Sequence, residues 1–140
     1  MIMAPRLDDL GSVYPALQAF IDSENKGTIN VLAIFNNEEI GSLTQQGADS
    51  SFLRDVLARI AEAKTMDFNE ALANSFMISA DNAHASHPNA ASKSYPTNTV
   101  ELNKGVVIKH HKNYTTDALS SAVFKISLKY AIISLISFLS

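Results

Sequence analysis

The stretch "TINVLAIFNNEEIGS", residues 28–42, runs from an apolar segment straight into two adjacent glutamates. Its first half, residues 28–35, predicts a strand covered on both faces, as in a parallel sheet flanked by helices. Glu38 and Glu39 follow the end of that strand, and two adjacent carboxylates would be costly in a core. A cation would explain their position. The alternative that the dipeptide alone leaves open is a solvated turn or a helix N-terminus.

Helical and strand patterns alternate along the rest of the chain. Apolar spacing predicts helices, and short apolar runs predict two further strands. This alternation predicts an α/β fold, a mostly parallel sheet flanked by helices. The predicted helices cover residues 9–21, 50–64, 68–74 and 116–138, and the further strands cover residues 75–80 and 105–109.

Local signals also predict how the helices begin. Ser50 or Ser51 is expected to cap the second helix, and Thr116 or Asp117 the last one. Pro15 is compatible with the first helix only within about its first turn. The polar stretch 81–104 is too long for a simple connection, so we expect it to be functional or disordered.

Composition restricts the class of protein. The chain has 140 residues, which is the size of one domain. Its net charge is −3, so it lacks the basic excess that would predict nucleic-acid binding. Without cysteine it has no disulfide framework and no thiolate metal site, which fits a reducing, cytoplasmic location.

The two ends of the chain carry no clear targeting signal. The first ten residues lack the basic and apolar regions of a signal peptide. Residues 130–140 are almost wholly apolar but short for a membrane span. We expect them to form a buried or partner-covered helix, so no membrane partner is predicted; a membrane anchor is the alternative.

Acidic residues end two of the predicted strands. Asp81 follows the strand at 75–80, as Glu38 and Glu39 follow the first strand. Ligands of open parallel sheets bind beyond the carboxyl ends of the strands, so these carboxylates are expected to face one crevice. One glutamate would bind a divalent metal, and the other would take a proton from water on that metal. An Asx turn is the alternative for Asp81.

Other polar residues are open to more ordinary interpretations. Asp8 or Asp9 is suited to cap the first helix. His84 and His87 lie in a loop, where a histidine more often forms a hydrogen bond than binds a metal. The side chains of adjacent His110 and His111 would point to opposite sides of an extended chain, so they are not expected to bind one ion together.

Six sequence blocks, taken together, resemble the aspartyl aminopeptidase family of zinc metallopeptidases over residues 4–125. The resemblance implies an α/β peptidase domain, a peptide substrate with a preferably acidic N-terminal residue, and large homo-oligomers. It also implies two divalent ions, typically zinc, with manganese or cobalt as alternatives. In chain order, the blocks are "APRLDDLGS" (4–12), "FNNEEIGS" (35–42), "QQGADSSFLRDVL" (45–57), "SFMISADNAHASHPN" (75–89), "GVVIK" (105–109) and "YTTDALSSAVF" (114–124).

The same resemblance implies roles for single residues. Asp8 matches the aspartate that bridges the two metals, and Glu38 matches the general base. The other matched residues are Glu39 and Asp81, which correspond to ligands of one metal each, and His84, Lys109 and Tyr114, which correspond to substrate-contacting positions.

The chain also departs from the family pattern. The histidine that each metal receives in the family has no counterpart here, and residues 126–140 do not resemble the family sequence. We therefore expect residues 1–125 to be a partial catalytic domain, residues 126–140 a divergent apolar tail, and the activity of the isolated chain to be low or absent. Two hypotheses follow: a metal-dependent aminopeptidase, or a truncated, inactive family member that acts only as an assembly partner or has no function.

Overall fold

A computed structural model describes residues 4–24, 26–37, 41–93, 99–110 and 118–126 of the chain. The chain divides into two compact units, Met1–Asn82 and Ala83–Ser140. The helices of the first unit are α1 (Leu7–Asp22), α2 (Phe52–Ala63) and α3 (Phe68–Ala73), and those of the second are a 3-10 helix (Pro88–Lys93) and α4 (residues 118–126).

Helix α2 begins at Phe52, and the Ser51 side chain at its cap position forms no capping hydrogen bond. The Ser50 hydroxyl accepts a hydrogen bond of 3.3 Å from the Phe52 amide, so Ser50 satisfies one of the free amides at the helix start. Helices α2 and α3 pack against each other. At their contact the Arg54 guanidinium lies 5.6 Å from the centre of the Phe68 ring, within range of a cation–π interaction. The predictions of these two helices are confirmed.

Helix α1 differs from its prediction at Pro15. Asp8 and Asp9 have non-helical backbone angles, so regular helical geometry begins at Leu10. Pro15 therefore lies in the second turn, and its restriction to about the first turn was wrong. Because proline has no amide hydrogen, the bond that this position would donate to the carbonyl of Gly11 is absent. The helix nevertheless continues to Asp22.

The C-terminal helix is described only in part. Residues 118–126 are helical, in agreement with the helix predicted for 116–138, whereas both candidate caps and residues 127–140 lie outside the described residues. Among the described helices, none has the length and apolar character needed to cross a bilayer.

In the polar stretch 81–104, the Ser86 amide donates a 2.7 Å hydrogen bond to the Val100 carbonyl.

The three predicted strands lie outside the helices. The described residues contain no assigned strand, because an apolar segment becomes a strand only when a neighbour pairs with its amides and carbonyls. The mostly parallel sheet therefore stays a prediction. Side chains from all three segments are exposed, among them Ile34 (53%), Met77 (76%) and Val106 (72%). Their apolar pattern is thus not accounted for by burial within the described structure.

A tight loop separates the Glu38–Glu39 pair from α2, and Gly47 is buried within it. The Asn36 amide donates to the Gln46 carbonyl at 3.1 Å, and the Asp49 amide donates to the Ser42 carbonyl at 3.0 Å. A Cβ atom at residue 47 would collide with the backbone oxygen of Ser42. The loop therefore requires glycine at this position.

Replacing Gly47 with alanine is expected to destabilise the protein by about 1–3 kcal/mol, because the backbone must shift to relieve the collision. Urea unfolding followed by circular dichroism measures the change. The matched control is Gly11→Ala in α1, where a Cβ atom would lie at an ordinary 3.9 Å from the side-chain nitrogen of Asn82. That change should be neutral or stabilising by up to about 1 kcal/mol. Equal unfolding midpoints for the two variants would contradict the prediction.

Candidate metal centre

Three carboxylates meet in the first unit. One oxygen from each of Asp8, Asp9 and Asp81 lies within 4.8 Å of the others. Asp8 and Asp81 are exposed, and Asp9 is half-buried. The structure thus brings together two residues that the sequence placed far apart, Asp8 and Asp81, and adds a third. We call these three residues the acidic cluster.

A long-range hydrogen bond accounts for the approach of Asp81 to Asp8. The Asn82 side-chain amide donates to the Leu7 carbonyl over 2.9 Å. Asn82 directly follows Asp81, and Leu7 directly precedes Asp8, so this bond holds the two aspartates next to each other. Asp8 has φ −91° and ψ 108°, and the Asp8–Asp9 peptide is cis. The two aspartates thus lie on a non-helical segment just before the regular part of α1.

The helix-cap interpretation of Asp8 and Asp9 does not agree with the structure. Among the described residues, no hydrogen bond to the side chain of Asp8 or Asp9 caps the regular part of α1, and Arg6, which precedes the assigned start at Leu7, does not cap it either. Instead, Asp9 Oδ1 is buried and has no hydrogen-bond partner among the residues that the structure describes. A buried carboxylate oxygen without a partner is costly, and neighbouring carboxylates repel one another. A bound cation would relieve both costs.

The donor set fits a divalent metal. Carboxylate oxygens bind zinc at about 2.0–2.2 Å and also bind manganese, so three of them within a few ångströms can share an ion. The buried oxygen of Asp9 has an electron pair that no group in the described part of the chain uses. The sequence interpretation missed Asp9 as a member of the cluster. The one available signal was its position beside Asp8 in the "DD" pair.

The other predicted site residues are only partly described. Glu38, Glu39 and Tyr114 lie outside the described residues, so their roles stay predictions. The Gly41 amide donates a hydrogen bond of 2.7 Å to the Asn37 carbonyl. In the second unit, His84 is exposed and Lys109 is half-buried.

Comparison with known proteins gives one family. A family model described as Aminopeptidase I zinc metalloprotease (M18) matches residues 1–137. The "Probable M18 family aminopeptidase 2" of Clostridium novyi is 48% identical over 129 residues, which cover 89% of this chain and 30% of that protein. The protein of the same name from Mycobacterium tuberculosis (strain H37Rv) is 40% identical over 140 residues, which cover 94% and 32% of the two chains.

A eukaryotic relative is similar to a comparable degree. "Aspartyl aminopeptidase 1" of Schizosaccharomyces pombe is 42% identical over 134 residues, which cover 89% of this chain and 28% of that protein. The chain thus spans about a third or less of the length of these relatives. No solved structure matches the chain at a significant level.

Proposed function

Because this chain belongs to the aminopeptidase I (M18) family of zinc metalloproteases, we propose that it supplies metal-binding and proton-transfer residues of a metal-dependent aminopeptidase. The enzyme would remove N-terminal residues, preferably acidic ones, from peptides. The acidic preference is supported by the name of the Schizosaccharomyces pombe relative, an aspartyl aminopeptidase. The structural observation that carries the proposal is the acidic cluster, with the buried and unpartnered Oδ1 of Asp9.

We assign the metal ligands as the family resemblance implies. Asp8 would bridge two divalent ions, Glu39 would bind one of them, and Asp81 would bind the other. The proximity of Asp8 and Asp81 in the structure supports the assignment of these two residues to the same ion. A bound divalent ion polarises a carbonyl group and lowers the pKa of water in its coordination sphere towards neutrality. Two zinc ions are proposed, with manganese or cobalt as alternatives.

Side chains of the protein would carry out proton transfer and substrate positioning. Glu38 would accept a proton from the attacking water, since a carboxylate is a suitable general base once the pKa of that water is lowered. Lys109 and Tyr114 would position the peptide or donate hydrogen bonds to the oxygen on which negative charge develops. His84 would contact the substrate. These assignments rest on the resemblance of the sequence blocks around them.

Fold, location and assembly are part of the same proposal. The apolar segments 28–35, 75–80 and 105–109 would be strands of a mostly parallel sheet flanked by helices, in which side chains such as Phe76 and Val106 would be buried. A cytoplasmic location is supported by the absence of cysteine. Assembly into homo-oligomers is proposed from family membership.

The function is tested with the peptide Asp-Ala-Ala-amide. The full chain is stripped of metal with EDTA, reconstituted with zinc and assayed at high protein concentration by mass spectrometry. Because the activity of the isolated chain is expected to be low, we expect at most slow release of free aspartate with zinc and none with EDTA. Any zinc-dependent release should be faster for aspartate than for asparagine from Asn-Ala-Ala-amide. The assay decides between the two sequence hypotheses. Zinc-dependent release identifies an enzyme, whereas release no faster than in buffer alone favours the inactive family member.

A further inference from the structure

The hydrogen bond between Asn82 and Leu7 joins two parts of the chain that both supply the acidic cluster. Its donor is the side-chain amide of Asn82, its acceptor is the Leu7 carbonyl, and the two residues are 75 positions apart. On each side of the bond, the next residue along the chain is an aspartate of the cluster, Asp81 or Asp8. Moving either partner of this bond therefore moves a carboxylate of the cluster.

Packing between helices does not hold this part of the chain in place. Among the described helices, α2 and α3 contact each other, whereas α1 is in contact with neither of them. The Asn82 side chain lies beside the start of α1, because a Cβ atom at Gly11 would be 3.9 Å from its nitrogen. The hydrogen bond to the Leu7 carbonyl is thus a specific link between the start of α1 and the segment that carries Asp81.

The carboxylates that this bond brings together repel one another. One oxygen from each aspartate of the cluster lies within 4.8 Å of the others, and like charges at such distances disfavour the ionised forms. Asp8 and Asp81 are exposed, so water is accessible to both when no cation is bound. A site whose ligands are held together beforehand binds more tightly, because less conformational freedom is lost when the ion arrives.

An asparagine side chain is chemically suited to hold these segments together. Its amide donates hydrogen bonds and carries no charge. A lysine or arginine at the same position would also donate to the Leu7 carbonyl, but its positive charge would attract the aspartates and compete with a metal ion. The neutral amide of Asn82 leaves the negative charge of all three aspartates available to a cation.

We propose that Asn82 is a positioning residue of the metal centre. It raises the affinity of the acidic cluster for a divalent ion by holding Asp81 next to Asp8 before the ion binds. Asn82 acts through its hydrogen bond to the Leu7 carbonyl and is not assigned as a metal ligand. The inference rests on the proposed function, because it requires that the acidic cluster binds metal. It concerns metal affinity and does not require hydrolysis.

Calorimetric titration of the full, metal-free chain with zinc tests the proposal. Asn82→Leu keeps the branched shape of the side chain and removes the donor, and Asn82 is exposed, so the fold should stay intact. Zinc affinity should fall about 10- to 100-fold, as is usual when a group that orients a metal ligand is lost. The matched control is Asn69→Leu, the same change at an exposed position of α3 outside the cluster. This control should bind zinc within about twofold of the unchanged chain.

A double-mutant cycle separates positioning of Asp81 from a general loss of structure. If Asn82 acts through Asp81, Asn82→Leu should lower zinc affinity by less than about threefold in a chain that already carries Asp81→Asn. A general loss of structure would lower the affinity by the same factor with and without Asp81→Asn. Circular dichroism of all variants measures whether the helices are intact.

Two results would overturn the inference and leave the metal centre in place. The first is zinc affinity of Asn82→Leu within about twofold of the unchanged chain, while Asp81→Asn binds zinc more weakly. The second is the same loss of affinity from Asn82→Leu with and without Asp81→Asn. A chain that binds no zinc before any substitution would overturn the proposed metal centre together with this inference, so the two failures are distinguishable.

Discussion

Replacing Glu38 with glutamine is expected to lower zinc-dependent release of N-terminal aspartate about 100- to 10,000-fold, the usual contribution of a general base. Glutamine keeps the shape of the side chain but cannot accept a proton from water. Zinc affinity should stay within about threefold of the unchanged chain, because Glu38 is not assigned as a metal ligand. Mass spectrometry of released aspartate and calorimetric titration with zinc measure the two effects.

The adjacent variant Glu39→Gln is the matched control, since the two residues differ by one position and the change is the same. Here zinc affinity itself should fall by more than about 100-fold, because a direct metal ligand contributes more than an outer contact. Hydrolysis would then be lost through loss of metal. If the zinc-binding defect appears in Glu38→Gln and not in Glu39→Gln, the two glutamates have exchanged roles and the assignment is wrong.

Replacing Asp8 with asparagine is expected to reduce zinc affinity by more than about 100-fold and to abolish zinc-dependent hydrolysis. The change removes one charge from the acidic cluster and the carboxylate assigned to both ions. An amide oxygen is a weaker ligand than a carboxylate oxygen and cannot offer two charged oxygens to a pair of ions. Calorimetric titration with zinc measures the affinity, and circular dichroism verifies that the helices are intact.

Asp22→Asn controls for charge alone. Asp22 is an exposed acid at the opposite end of the same helix, outside the acidic cluster. Its replacement lowers the net negative charge by the same amount and should leave zinc affinity within about twofold. Equal zinc affinity in the Asp8 and Asp22 variants would show that the acidic cluster does not hold the metal, and would remove the main structural support for the proposed function.

Helix positions could be predicted from the sequence because helical hydrogen bonds are local. The apolar spacing in "FLRDVLARIAEA" is that of one helix face, and α2 covers Phe52–Ala63. The short helix α3 was likewise found where its sequence placed it. The strands could not be settled in the same way. An apolar run such as residues 75–80 becomes a strand only through a hydrogen-bonded neighbour elsewhere in the chain, which spacing does not specify.

In the candidate site, too, some features could be predicted from the local sequence, whereas others depend on contacts between distant residues. By itself, the sequence determined which residues can carry metal chemistry, because Asp8 and Asp81 were identified by residue type and by the blocks around them. Tertiary structure alone decided that Asp9 joins them and that Asn82 ties the two segments together. The physical reason is the separation along the chain over which each property acts. Residue chemistry and helical periodicity are properties of a short stretch, whereas these meetings depend on contacts between parts of the chain that local patterns do not connect.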